Sequence, residues 1–130
     1  MAITEGQSLP IAISLASASP HETQLVDQTL AELVTESPKT LIGDKAYDSA
    51  PLQAKVALEY QIELKAPKRK KPGEPSALPP PEGYGNRWKV ERFFAWLQNY
   101  RRIVTRWEYH AENFLGFIHL ACILIISKRL

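Results

Sequence analysis

A single cysteine, Cys122, stands in the 130 residues, so no disulfide can close within the chain. This suits a buried thiol in a reducing compartment. The sequence also lacks a glycine-rich phosphate loop, a dinucleotide fingerprint and a Ser-His-Asp order. Its three histidines are His21, His110 and His119. They stand too far apart for a zinc site built on adjacent turns, and no second cysteine could complete one. Long apolar runs are missing as well. The longest, Phe114 to Ile126, has 13 residues and includes His119. It is too short to cross a bilayer and reads as a buried helix, apolar nearly all round. Met1 to Gln7 has no basic residue and no long apolar run follows it, so neither a signal peptide nor a membrane partner is expected.

What is present is an ordinary globular balance, 45% apolar and 23% charged, which suits one small domain. The net charge of +2 hides an asymmetry. Residues 1–64 carry 3 Lys/Arg against 9 Asp/Glu, a net of −6; residues 65–130 carry 13 against 5, a net of +8. The second half is suited to a polyanion, although a solvated basic face would give the same count.

The opening "MAITEGQSLPIAISLASAS" has the pattern of a β-hairpin. A short strand, Ala2 to Thr4, meets the turn residues Glu5-Gly6-Gln7-Ser8. Ile11, Ile13 and Leu15 then alternate with small residues, the period of a strand with one buried face. A helix is expected from Ser19 as N-cap, with Pro20 first, Glu22 at capping-box spacing, and Leu25, Val26, Leu30, Leu33 and Val34 on its apolar face. Pro38 stops it. Thr40 to Gly43 reads as a strand, "DSAPLQAKVALEY" as a helix capped by Asp48 or Ser49, and "QIELKAP" as another strand. Residues 1–67 thus form a sheet-and-helix part of an α/β fold with a mixed sheet. Residues 68–86, with Pro72, Pro75, Pro79, Pro80 and Pro81, form an extended loop that opens on "KRKK". Residues 87–130 form helices, from about Arg87 to Asn99 and from about Ala111 to Lys128.

Two carboxylates fit chemistry. Asp44 follows an apolar strand in "LIGDKAYDS", where open α/β folds place their sites, although an Asp in such a loop also commonly caps a turn. Glu91 lies four residues after Arg87 on one helix face, which Phe94 and Gln98 extend, while Trp88, Phe93, Trp96 and Leu97 cover most of the rest. A carboxylate in apolar surroundings needs a partner or a metal; the alternative is a plain surface ion pair. An acidic pair of this kind suits Mg²⁺ or Mn²⁺, and two such ions about 4 Å apart can drive phosphodiester chemistry.

The spacing Tyr84-x2-Arg87-x3-Glu91 resembles the YREK signature of insertion-sequence transposases of the DDE class, in the groups numbered four and five. "LIGDKAYDS" resembles the segment with their second catalytic Asp. "LASASPHETQLVDQTLAEL", with His21 and Glu22, is similar to the strand-to-helix segment before it. "VERFFAWLQNYRRIVTRWE" and the apolar helix after it resemble the segment around their catalytic Glu. The resemblance covers essentially the whole chain. It implies an RNase H-like fold that binds two Mg²⁺ or Mn²⁺ ions, cuts transposon ends and joins the 3′-OH to target DNA. Asp44 and Glu91 would be catalytic and metal-binding. Tyr84 and Arg87 would contact DNA phosphate or orient Glu91.

Two departures stand out. The signature's basic residue falls at Gln98, leaving Lys89, Arg92, Arg101 or Arg102 as substitutes. The first catalytic Asp, which in the family lies on a central first strand, has no counterpart; Asp27 and Asp48 do not match its context. The expectation is an incomplete RNase H-like sheet, the C-terminal part of a transposase catalytic domain and inactive alone. It would be a second reading frame, a truncated remnant or a piece started at an internal Met. Its partners would be DNA, at transposon ends and target, and the N-terminal transposase portion or another protomer. Its location would be the bacterial cytoplasm, with the nucleoid. The basic residues Lys68, Arg69, Lys70, Lys71, Arg101 and Arg102 are expected to contact DNA. The alternative is a non-catalytic fragment that binds DNA or transposase.

Overall fold

The turn Glu5–Ser8 folds the chain back on itself: Ser8 N donates to Glu5 O at 3.0 Å, with Ser8 at φ 70°. In the computed structural model, which describes residues 1–69 and 79–129, strand β1 (Ala2–Thr4) pairs antiparallel with β2 (Pro10–Ile13). Pro10 opens its strand, where a missing N–H is tolerated. The hairpin is buried on both faces rather than one. Ile3 and Ala12 face a first core with Val26, Leu30, Val56, Ile62 and Leu64. Ala2 and Ile13 pack on a second core formed by Phe93, Leu97, Ile118, Cys122 and Ile125. The small side chain of Ala12 lets the first core approach the strand closely, so a small residue there is an inward position.

The expected helix from Ser19 is shorter and starts later. His21 caps a 3-10 turn, Glu22–Leu25, its Nδ1 accepting from Thr23 N at 3.4 Å. Helix α1 (Val26–Leu30) follows and ends early, because Val34 N donates to Ile11 O on the edge of β2 at 3.0 Å. That strand-like bond competes with helix continuation, and the Val34 side chain is exposed.

Strand β3 (Thr40–Ile42) lies parallel to β4 (Glu63–Lys65), and helix α2 (Ala50–Tyr60) connects them in a βαβ unit. Ser49 is the N-cap residue of α2 and Pro51 lies in its first turn. Gln61 ends it in the left-handed region (φ 58°). The element order matches an α/β chain, but the mixed sheet divides. Among the described residues the antiparallel pair and the parallel pair are separate two-stranded sheets with no strand joining them.

The second half is helical: α3 (Trp88–Leu97), α4 (Arg101–Val104) and α5 (Ala111–Ser127). Contrary to expectation, α5 is buried on one face only. Ile118, Ala121, Cys122 and Ile125 are covered, while Leu120, Ile123 and Leu124 are exposed. The hairpin, α3 and α4 cover a single stripe of it. Arg92 fastens α3 to the hairpin. Its guanidinium lies 4.6 Å from the Trp88 ring and 5.0 Å from that of Trp96, and donates to Ser8 Oγ (2.9 Å) and Gln7 O (3.1 Å). No helix of the described residues is long and apolar enough to cross a membrane.

Candidate functional site

Asp44 leaves the C-terminal end of β3 as the N-cap of a 3-10 turn, Lys45–Tyr47. Its Oδ1 accepts from Ala46 N at 2.7 Å. The turn is tight because the Tyr47 ring lies over Gly43, where a Cβ would fall 2.8 Å from Cδ2 of Tyr47. Burial, and then the fields of Glu22 and Asp44, push the Tyr47 hydroxyl up to about 12. Tyr47 matches no motif in the sequence; its place next to an Asp turn after Gly43 is the one signal there.

Lys68 and Arg69 do not form a free basic run. Arg69 N donates to Asp48 Oδ2 at 2.8 Å, its Nε to Lys45 O at 2.9 Å, and Lys68 Nζ lies 3.6 Å from Asp48 Oδ1. Both residues clamp the turn that carries Asp44. The Arg69 backbone hydrogen bond, then the Lys68 charge, hold the Asp48 carboxyl below the usual range, although burial opposes them. Lys70 and Lys71 lie outside the described residues.

The loop before α3 returns to β3. Gly83 (φ +82°) sits so close to Ile42 that a Cβ would lie 2.8 Å from Cδ1. This contact sets the 3-10 turn Tyr84–Asn86 beside the strand end with Asp44. Arg87 follows, donating from Nη1 to the Tyr84 hydroxyl at 3.0 Å, with its Nη2 3.7 Å from Glu91 Oε1. The Tyr84 hydroxyl raises the Arg87 pKa most; burial opposes it, and the charges of Asp44 and Glu91 add to the rise. One guanidinium therefore stands in the field of both candidate carboxylates.

Glu91 is not in apolar surroundings: its side chain is 68% exposed, in the first turn of α3, where the helix dipole favours an anion. Phe93 and Leu97 of α3 are buried in the second core, while Trp88 and Phe94, three positions either side of Glu91, are partly exposed beside it. Carboxylate oxygens suit Mg²⁺ or Mn²⁺. Yet Asp44 Oδ1 is occupied by Ala46 N and Glu91 is paired with Arg87. Among the described residues no three His, Cys, Asp or Glu side chains gather to hold a metal ion. These residues alone do not make a complete metal site.

Beyond Gln98, α3 leads into Arg101 and Arg102. Arg101 is exposed and makes no ion pair among the described residues. Arg102 Nη1 donates to Glu108 Oε1 at 2.8 Å, and Glu108 Oε2 accepts from Trp107 N at 3.2 Å. Glu108, its side chain 8% exposed, is not legible in the sequence because its six-residue separation from Arg102 matches no helical pairing. Of the possible substitutes for the signature's basic residue, Arg92 is committed to the hairpin and Arg102 to Glu108.

A family model described as the transposase DDE domain matches residues 1–126. The chain is 39% identical over 90 residues to a transposase assigned to insertion sequence element IS6501 of Brucella ovis, covering 65% of each chain. It is 28% identical over 138 alignment positions to one assigned to IS402 of Burkholderia cepacia, covering 98% of this chain and 62% of that protein. These alignments thus span just under two thirds of each relative's length. No solved structure matches the chain. With a transposase DDE domain model matching nearly the whole chain and two insertion-sequence transposases aligned to it, the chain belongs to the transposase DDE domain family.

Proposed function

We propose that this chain works as part of an insertion-sequence transposase that cuts and joins DNA with divalent metal ions on an RNase H-like framework. Asp44 and Glu91 supply oxygen ligands in this reading. The remaining carboxylate comes from a further transposase segment or another protomer. Arg87 orients Glu91 and meets a DNA phosphate, with Tyr84 fixing its guanidinium. Arg101 and Arg102 add phosphate contacts from the helical half. Lys68 and Arg69 act chiefly by holding the Asp44 turn.

The observation that best supports this reading is the Gly83–Ile42 contact, which sets the Tyr84-Arg87-Glu91 segment against the Asp44 strand end although 40 positions separate Asp44 from Tyr84. The separation of the two sheets and the two-carboxylate set favour a chain that does not catalyse by itself. A non-catalytic DNA-binding role is the second reading, and the same two features favour it.

The test has two arms. The 130-residue chain should bind duplex DNA with an affinity that falls as salt rises, by about 0.9 in log–log slope per phosphate neutralised. With Mg²⁺ or Mn²⁺ alone it should cut no transposon-end DNA. Absence of salt-dependent binding removes the DNA reading; cleavage by the isolated chain removes the need for an outside carboxylate.

A further inference from the structure

Trp107 is 75% exposed, which leaves a large flat indole face in solvent. It is not exposed through looseness. Glu108 accepts from its backbone N–H, and Arg106 donates from Nε to Glu108 O and from Nη2 to Tyr109 O, both at 2.9 Å. The Arg102 guanidinium closes the frame through Glu108 and lies 5.1 Å from the Phe117 ring on α5. The segment is thus fastened to two helices while its indole faces out.

The indole borders an open groove of about 730 Å³ lined by Gln98, Arg101, Arg102, Val104, Thr105 and Trp107. That volume is within the ~300–1,000 Å³ that holds small organic groups. Its lining combines a flat aromatic face, a cation without an ion pair among the described residues, and a primary amide able both to donate and to accept. Residues 65–130 carry a net +8, so an anionic occupant is favoured.

We propose that this groove holds an unpaired nucleotide of a DNA strand, its base stacked on Trp107, its phosphate on Arg101 and its edge facing Gln98. The inference rests on the DNA-binding reading above and adds a strand preference to it. A base inside a duplex has both faces covered by its neighbours, so only an unpaired or extruded base can use the indole. Arg102, with guanidinium N–H groups to spare beyond its Glu108 bond, reaches a neighbouring phosphate. Gln98, where the family signature has a cation, reads a base edge, and the cation stands three positions on, at Arg101, the first residue of α4.

The probe is a single strand of about 12 nucleotides with one 2-aminopurine, compared with a duplex of the same sequence, both titrated with the full 130-residue chain. Stacking should quench the 2-aminopurine. Trp107→Ala should abolish the quenching and weaken single-strand binding by roughly 5- to 100-fold, while duplex affinity changes less than about 2-fold. Trp107→Phe should keep most of both signals. Arg101→Gln should weaken both strands and lower the salt slope by about one. Circular dichroism should be unchanged in each, since these side chains are exposed. If Trp107→Ala leaves quenching and affinity intact while Arg101→Gln weakens both strands alike, the stacking site is overturned and the DNA reading survives. If neither strand binds at low salt, both fall.

Discussion

Gly83 and Ile42 meet with no room for a side chain between them: a Cβ on Gly83 would stand 2.8 Å from the Ile42 Cδ1, and the glycine sits at φ +82°. This contact joins the proline-rich connection to the strand that leads into Asp44. Gly83→Ala should cost about 1–2 kcal/mol from the left-handed backbone alone, with the clash added. Urea midpoints would measure the loss. DNA affinity should fall too, because Tyr84 and Arg87 shift from the Asp44 turn.

The buried hydroxyls of Ser14 and Thr29 lie 2.6 Å apart, and Thr29 Oγ1 also donates to Leu25 O at 2.7 Å. The Thr29 proton is thus committed, so Ser14 donates to Thr29. Thr29→Val should strand the Ser14 donor and cost about 1–3 kcal/mol, whereas Ser14→Ala with Thr29→Val should recover much of it. A double-mutant cycle on unfolding free energies checks this.

Arg92 bridges Trp88, Trp96 and the buried Ser8 of the hairpin turn. Arg92→Met should destabilise by about 1–3 kcal/mol. Arg92→Lys should rescue little, because an ammonium cannot stack and fork as a guanidinium does. Thermal unfolding of the two variants distinguishes lost charge from lost geometry.

Burial pushes the Cys122 thiol up to about 11 from an ordinary 9.0, and Tyr47 is pushed up to about 12 from 10.0 by burial and then by Glu22 and Asp44. Both folded values lie above the unfolded ones. Their contribution is therefore complete below about pH 9, and is lost as pH rises through the folded values, because the unfolded chain ionises first. Urea midpoints should drop from about pH 9 upward. Cys122→Ala should remove the earlier part of the drop and Tyr47→Phe the later part. A thiol reagent should label Cys122 slowly until urea unfolds the chain.

Glu91→Gln should change stability by less than about 0.5 kcal/mol, since its ion pair with Arg87 is long and exposed. A larger loss in chemical denaturation would mean that Glu91 holds structure rather than being free for a ligand.

The sequence alone determined the order of elements, because local periodicity and turn chemistry carry it: the hairpin from Ala2, the β3–α2–β4 unit around Asp44, and helices after the prolines. It also determined the family, since the Asp44 and Tyr84-Arg87-Glu91 segments are contiguous patterns. It did not determine which faces are covered, because burial depends on partners distant in the chain. Ala12 proved to be inward, Leu120 and Leu124 outward, and Glu91 solvent-facing. Lys68 and Arg69 were legible as charge, but only the fold turned them onto Asp48 and the Lys45 carbonyl. Trp107 and Glu108 carried no helical spacing, so only the tertiary structure decided that a buried carboxylate would hold the Trp107 backbone and leave its indole exposed beside Arg101 and Arg102. An incomplete sheet was already implied by the resemblance, but only the tertiary structure decided which strands pair among the described residues, as two separate two-stranded sheets, since strand pairing is settled by backbone groups far apart in sequence.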